Sequence, residues 1–351
     1  MTTTEYVTDY TTLLIDYYDI EYGDDLCQKT HVIEFGALFT PVLFSIVAIL
    51  SLFGNILVLI VLIRYENLKS LTNTFILNLA ISDLFFTLGL PFWAQYHVQG
   101  WTFGDTVCKT VNFIFYVGFY SSGILLIMMT AHRYIAVMNP LSDIVSTTGK
   151  YSIVASAIIW VLSLVAASPA LIFTEVKESN YCTNKDSFWT VWGIYQQNAL
   201  FLLSSVVFIF CYSQIICKLL RPTAQRRKNK TLKLIFILMV VFFVGWVPYN
   251  VVIFMQSFSY MPQPAAESKI VALNCESQKR LDYALNISRI FAFSHCCLNP
   301  VFYVFVGVKF KNHLKKMLKS FSHNNSHNVS IRNRNSRLTI TSVTSGEELS
   351  L

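Results

Sequence analysis

The chain has 351 residues, of which 54% are hydrophobic, 15% aromatic and only 13% charged, and its mean hydropathy is +0.49. A soluble globular domain carries about 25% charged residues, so this composition excludes a soluble protein and indicates one embedded in a membrane. The formal net charge of +7 is not a signature of nucleic-acid binding, because it sums an acidic N-terminal segment and basic segments further along the chain.

Long apolar runs divide the chain. A helix of about 20 apolar residues crosses the roughly 30 Å hydrocarbon core of a bilayer. A large buried soluble core does not produce seven runs of such length. The sequence therefore predicts an all-α membrane protein, a seven-transmembrane helix bundle over residues 36–306. The runs are residues 36–63, 74–97, 110–136, 151–173, 187–217, 234–258 and 283–306.

Charge asymmetry predicts the orientation of this bundle. Residues 1–35 hold eight acids and one base, Lys29. Bases without acids fill the loop from Lys218 to Lys233, and more lysines follow the seventh run. Because basic segments stay in the cytoplasm, we expect an extracellular N-terminus and a multi-pass protein of the plasma membrane. No signal peptide is visible, so the first run is expected to act as its own insertion signal.

The two ends of the chain have compositions of their own. Within the acidic N-terminal tail, acids alternate with tyrosines, a pattern that would steer a basic protein ligand and that resembles tyrosine sulfation sites. The alternative is a tail that only keeps the protein soluble. Residues 307–321 predict an amphipathic helix at the inner lipid interface, and residues 322–351 a disordered Ser/Thr-rich cytoplasmic tail. The tail residues expected to bind ligand are Asp16, Tyr17, Tyr18, Asp19, Glu21 and Tyr22.

The eight cysteines fall into two groups. Four lie within helical runs and are expected to be buried thiols. Four lie in predicted outer segments, where disulfides persist, and they allow three pairings. Of these we favour Cys108–Cys182, between the third run and the second outer loop, with Cys27–Cys275 between the tail and the third outer loop. Zinc binding is the alternative, and no histidine spacing supports it.

Polar residues inside the runs carry further signals. Asp83 lies near the middle of the second run, where an ionisable group is costly and therefore a functional candidate. Pro300 in the seventh run frees a backbone carbonyl that lipid cannot satisfy. The adjacent Asn299 can bond such a group, so the pair predicts a helix built to bend.

Six short motifs together carry a family resemblance. They are Gly54-Asn55, Asn78 to Leu84, Arg133-Tyr134, Trp160, Trp246-Val247-Pro248 and Asn299-Pro300-Val301-Phe302-Tyr303. In this combination the chain resembles class A (rhodopsin-like) G-protein-coupled receptors over its whole length. Two further motifs, the four outer cysteines and the Asp/Tyr-rich tail resemble chemokine receptors. These motifs are Leu90-Pro91-Phe92-Trp93 and Phe293-Ser294-His295-Cys296-Cys297-Leu298-Asn299-Pro300.

Several positions resemble the XC (lymphotactin) type within that family. His132 precedes Arg133 where most relatives have Asp, and Ser204 replaces a proline of the fifth helix. Arg289 stands where most chemokine receptors carry Glu. Two other departures, Gly89 for Thr and Gly245 for Cys, leave the packing of the second and sixth helices open.

The resemblance implies an allosteric sodium site and an activation switch. Sodium would be held by Asp83, Ser122 and Asn299, with His295 nearby; the alternative is a protonated structural Asp83 bonded to Asn55. In the switch, Arg133 is expected to meet the G protein, although a snorkelling Arg133 and a plain core Trp246 are the alternatives. The switch residues are His132, Arg133, Tyr134, Tyr212, Trp246, Pro248, Asn299, Pro300 and Tyr303.

The resemblance also implies a ligand mode. The body of a chemokine would dock on the acidic tail while its N-terminus enters the helical bundle. For Arg289, the alternative to ligand selection is a structural pair with Asp282 or Glu276. The mouth and pocket candidates are Trp93, Tyr116, Tyr195, Tyr283 and Arg289.

The function that follows from the resemblance is a chemokine receptor that activates an inhibitory-class heterotrimeric G protein and drives chemotactic and calcium signalling. Arrestin and receptor kinases would act on the C-terminal tail, and lipids would surround the bundle. An enzyme is not expected, because no nucleophile, base and orienting group cluster. A retinal photoreceptor would need Lys at Phe293, and a transporter would show inverted repeats. The runner-up, suggested by His132, is an atypical scavenging receptor without G-protein coupling.

Overall fold

The computed structural model describes residues 29–139, 150–177, 180–219, 229–260, 268–306 and 311–316. The predicted ligand-binding tail and the C-terminal tail lie outside the described residues. The described residues are almost entirely helical, as the seven runs predict.

In the described ranges, eight helices of 12 or more residues follow one another, with a small hairpin between the fourth and fifth. A 3-10 turn, Phe258–Tyr260, extends the sixth helix, and a short helix occupies residues 311–316. The strands β1 (Thr174–Lys177) and β2 (Tyr181–Asn184) pair antiparallel, with Val176 opposite Cys182. The helices are α1 (Thr30–Tyr65), α2 (Leu71–Gln99), α3 (Asp105–Met138), α4 (Lys150–Phe173), α5 (Ser187–Leu219), α6 (Asn229–Ser257), α7 (Ser268–Phe293) and α8 (His295–Val306).

Helices α1 to α6 are each long and apolar enough to cross a membrane. The predicted seventh span is formed by α7 and α8 together. It differs from the prediction in two respects: the helix begins at Ser268 rather than at residue 283, and a turn at Ser294 divides it. The outer part of α7 escaped the hydropathy pattern because it carries Lys279, Arg280 and Asp282.

Small residues set the closest helix contacts. A Cβ added at Gly118 of α3 would lie 2.7 Å from the carbonyl oxygen of Ser82, so the backbones of α2 and α3 touch at this point. The hydroxyl of Ser121 donates to that of Ser82 across the same contact, at 2.7 Å. A Cβ at Gly54 of α1 would lie 2.9 Å from Pro300. Glycine at these two positions therefore allows the inner halves of α2, α3, α1 and α8 to pack closely.

The carbonyl freed by Pro300 belongs to Cys296, four residues earlier. The side-chain amide of Asn55 in α1 donates to this oxygen at 2.9 Å. The expectation that the adjacent Asn299 would do so is wrong, because the amide of Asn299 donates instead to Asp83. The bend of the seventh span is thus supported from a helix far away in the sequence.

Candidate functional site

A layer of aromatic rings forms the inner boundary of the outer half of the bundle, between the extracellular side and the polar residues at its centre. Phe293, at the end of α7, lies at the centre of this layer. Its ring centroid is 5.1 Å from that of Phe86, 5.3 Å from Phe115, 5.5 Å from Phe44 and 6.0 Å from Tyr249. Rings from four other helices therefore meet on this one side chain, which is 6% exposed.

Arg289 lies one helical turn outward from Phe293, on the same face of α7. Its charge acts on His97, Tyr116 and Tyr249, which come from α2, α3 and α6. The alternative pairings considered for Arg289 are not present. Asp282 binds Lys29 at 3.0 Å and Glu276 binds Arg280 at 3.3 Å.

The other pocket candidates lie in different surroundings. Trp93 packs between Trp101 and Phe115, and its indole N–H is buried without a hydrogen-bond partner in the described chain. Tyr116 stacks on Tyr120 at 6.0 Å within the core of α3. Tyr283 packs its ring on Phe35 of α1, at 5.5 Å. Tyr195 is exposed and lies 6.3 Å from Phe254, at the edge between α5 and α6. It therefore does not join the Arg289 layer, the name used below for Arg289 with the neighbouring His97, Tyr116 and Tyr249.

The hairpin is fixed over the top of α3. The predicted Cys108–Cys182 disulfide is confirmed, and the carboxylate of Asp105 accepts the backbone N–H of Val176 at 3.0 Å. Cys275 is also disulfide-bonded, while its predicted partner, Cys27, lies outside the described residues. The hairpin and α3 together form a rigid part of the outer mouth.

Trp246 of α6 lies directly below the Phe293 layer and is almost completely buried. Its ring is 4.8 Å from Phe119, 5.2 Å from His295 and 6.2 Å from Phe293. Pro248 is in the same helix, two residues further outward. A movement of Trp246 would therefore displace contacts with Phe293 on its outer side and with His295 on its inner side.

Asp83 of α2 forms that polar centre and is fully buried. The amide of Asn299 donates to one carboxylate oxygen at 2.8 Å, and the hydroxyl of Ser122 reaches the other at 3.4 Å. The ring nitrogen Nε2 of His295 lies 3.8 Å from the same oxygen as Ser122. The three predicted residues thus meet at one point, whereas Asn55 bonds to Ser51 and Cys296 rather than to Asp83.

The cytoplasmic end of α3 carries the next predicted cluster. A guanidinium N–H of Arg133 donates to the hydroxyl of Thr72 in α2 at 2.8 Å. His132 instead meets the ring of Phe75 edge-on, at 6.4 Å. Tyr134 packs toward Phe210 of α5, at 5.8 Å. Arg133 is therefore held by α2 in the conformation described.

Helix α5 contacts the same end of α3. Tyr212 packs on Phe208 and Phe236, and its buried hydroxyl has no hydrogen-bond partner in the described chain. The ammonium of Lys218 donates to the carbonyl oxygens of Val137 and Met138, at 2.8 and 3.0 Å. The sequence predicts that Lys218 lies in a loop. In the structure it belongs to α5 and caps the C-terminal end of α3. Tyr303 is in α8, and only its backbone is described.

Comparison with known proteins decides the family. Residues 54–303 match the model of the 7 transmembrane receptor (rhodopsin family). Chemokine XC receptor 1 from Homo sapiens is 43% identical over 305 residues, which cover 87% of this chain and 88% of the relative. Chemokine XC receptor 1 from Mus musculus is 41% identical, covering 86% and 90%. The chain is a chemokine receptor of the rhodopsin family. It is therefore a multi-pass membrane protein of a receptor class that is not enzymatic.

Several contacts of this receptor were not predicted from its sequence. Thr72 and Lys218, which hold the inner end of α3, carried no signal, because a threonine or a lysine near a membrane surface is common. His97 was missed because a lone histidine near a helix end has no distinctive pattern. The role of Asn55 at Pro300 was misassigned, since only the packing of α1 on α8 brings these residues together.

Proposed function

We propose that this receptor binds an XC-class chemokine at its extracellular side and activates an inhibitory-class heterotrimeric G protein inside the cell. The likeness to the two XC receptors supports the ligand class. The observation that carries the signalling part is the continuous interior path of Phe293, Trp246, His295 and Asp83. It connects the outer Arg289 layer with Asn299 in α8, which donates to Asp83.

The N-terminal tail is the first ligand contact in this proposal, and it lies outside the cell. Its acids and tyrosines attract the basic body of the chemokine and raise the association rate. The N-terminal segment of the ligand then enters the mouth between the hairpin, α2 and α7. Sulfation of Tyr17, Tyr18 and Tyr22 would add further negative charge.

On the cytoplasmic side, an outward movement of α6 opens a cleft at the inner end of α3. Arg133 then leaves Thr72 and contacts a helix of the G protein. Receptor kinases subsequently modify the Ser/Thr-rich tail and recruit arrestin through the added charge. The helix at residues 311–316 lies on the inner lipid surface, where His313 of this helix stacks on Tyr65 of α1.

The residues around Asp83 fit the sodium ion that we also propose as a modulator. Sodium takes oxygen ligands, and the buried Asp83 carboxylate and Ser122 hydroxyl provide them. Nε2 of His295 is buried near the same oxygen and has no hydrogen-bond partner in the described chain. When bound, the ion neutralises a carboxylate that burial would otherwise leave costly, while Asn299 orients that carboxylate from α8.

A G-protein activation assay with a panel of chemokines tests the proposal. Cells expressing the receptor should respond to XC chemokine and not to chemokines of other classes. A toxin that inactivates inhibitory-class G proteins should abolish the response. Chemokine uptake without any G-protein response would contradict the proposal and would instead identify a scavenging receptor.

A further inference from the structure

Among the described residues, Arg289 forms no ion pair. The two acids of its own helix are occupied, Glu276 by Arg280 and Asp282 by Lys29 and the amide of Gln256. Within the described part of the chain, no carboxylate lies at ion-pair distance from Arg289. Keeping a partly buried guanidinium unpaired costs free energy. An anion that enters from the extracellular side and pairs with it would offset this cost.

The surroundings of Arg289 strengthen such an interaction. His97, Tyr116 and Tyr249 are within reach of its charge, and the Phe293 layer lies one turn below. Because aromatic walls lower the local dielectric constant, an ion pair is stronger here than at the surface. Trp93 adds an unused donor near this layer, since its buried N–H is unpartnered in the described residues and its ring lies 6.3 Å from Phe115.

The chemistry of the side chain restricts the ligand group. A planar guanidinium binds a carboxylate with two parallel hydrogen bonds, and it repels a cationic amine. We propose that Arg289 binds a carboxylate of the chemokine's inserted N-terminal segment and thereby selects ligands that carry one there. This inference rests on the proposed chemokine-binding function and names the ligand group that the outer pocket recognises.

The receptor's own acidic tail is another source of carboxylates. Its attachment point argues against it, because Lys29 at the start of α1 is bound to Asp282. Asp282 lies two helical turns outward from Arg289, or about 10 Å along α7. The first described residue after the tail is therefore anchored about two helical turns outward from Arg289, and the ligand-side experiment distinguishes the two sources of carboxylate.

The receptor side of the test compares Arg289→Gln and Arg289→Lys with Arg280→Gln. Arg280 is a matched control, since it is an exposed arginine of the same helix that pairs with Glu276. The measurements are surface expression, binding of labelled XC chemokine and the potency of G-protein activation. At equal expression, Arg289→Gln should lower potency by about tenfold or more. Arg289→Lys keeps the charge but loses the second parallel hydrogen bond, so its potency should fall between those of the wild type and Arg289→Gln. Arg280→Gln should leave the potency unchanged.

The ligand side of the test does not depend on how receptor variants fold. Each carboxylate in the N-terminal segment of the XC chemokine is replaced in turn by its amide. One replacement should lower potency about tenfold on the wild-type receptor and cause no further loss on Arg289→Gln, as expected for a coupled pair. If the losses of potency from the ligand replacement and from Arg289→Gln simply add, the proposal is overturned and the receptor tail becomes the source of the carboxylate. An N-terminal segment of the chemokine that contains no carboxylate would also overturn the proposal.

Failure of the proposed function and failure of the carboxylate site give different results. A wild-type receptor that does not respond to XC chemokine contradicts the proposed function, and the ligand group assigned to Arg289 falls with it. A wild-type receptor that responds, with unchanged potency in Arg289→Gln, contradicts the carboxylate site alone.

Discussion

At the inner end of α3, His132 stands where most relatives have Asp, and this changes which residue holds the guanidinium of Arg133. An Asp before Arg133 would form an ion pair with it, but His132 packs on Phe75 instead. Arg133 is held by the hydroxyl of Thr72, and Lys218 caps the helix from α5. A neutral acceptor therefore takes the place of a carboxylate, which makes the restraint on Arg133 weaker and more dependent on a single residue.

Thr72→Val should raise the basal activity of the receptor. Valine keeps the volume of threonine but removes the acceptor, so Arg133 is released toward the G protein. A hydrogen bond to a charged group contributes about 1.5 kcal/mol at the lower end, which corresponds to an increase of up to about tenfold. Basal G-protein activation at matched surface expression measures it. Thr74→Val is the control, because the hydroxyl of Thr74 donates to the backbone oxygens of Leu68 and Ser70 and not to a charged side chain. Equal basal activity in both variants would refute the restraint.

Single residues also show where sequence reasoning succeeds. Asp83 was singled out because an ionisable group inside a membrane span is costly. The family resemblance implied that Ser122 and Asn299 lie beside it, and both bond to its carboxylate. Thr72 and Asn55 could not be assigned in the same way. Their partners are set by helix packing, and neither residue type is unusual in its position.

At the scale of elements, the seventh span differs most from its expected form. Six spans follow directly from hydropathy. The seventh is interrupted at Ser294 and continues outward as a polar helix to Ser268. Hydropathy does not report such an extension, because charged residues beyond the lipid core look like a loop. A bend at Pro300 was expected from the sequence, and the described interruption lies at Ser294. The contacts of Gly54 and Asn55 of α1 with this part of the span were not expected.

Gly54→Ala should destabilise the receptor. The added methyl group would lie 2.9 Å from Pro300, so α1 and α8 would have to separate at the bend. Overpacking of this kind costs about 1–3 kcal/mol. The thermal unfolding midpoint of the purified receptor in detergent should fall, together with surface expression. Gly193→Ala should have no such effect, since no atom lies within 4 Å of the new methyl group. An unchanged midpoint in Gly54→Ala would show that the contact is not tight.

At the scale of the whole molecule, charge is separated along the chain. Acids are concentrated in the first 35 residues, and bases after the fifth and seventh spans. The interior between them is apolar and aromatic, with Arg289 near the outside and Asp83 in the middle. This distribution suits a protein that attracts a basic ligand on one side and a G protein on the other.

Replacing Tyr17, Tyr18 and Tyr22 together by phenylalanine should weaken chemokine binding and reduce its dependence on salt. The rings remain, while any sulfate groups are lost, so the electrostatic part of the attraction falls. Equilibrium binding of labelled XC chemokine at low and high ionic strength measures both effects. Replacing Tyr6 and Tyr10, which lie outside the densest acidic segment, is the control. If the variant and the wild-type receptor bind with the same affinity at low salt and also at high salt, the proposed role of these tyrosines is contradicted.

The proposal that the receptor signals through Arg133 is tested most directly by G-protein activation with XC chemokine in wild-type receptor and in Arg133→Ala. Surface binding is measured on the same cells. We expect the wild type to activate an inhibitory-class G protein, and Arg133→Ala to bind the chemokine with unchanged capacity but not to activate. Full activation by Arg133→Ala, or binding without activation by the wild type, would contradict it.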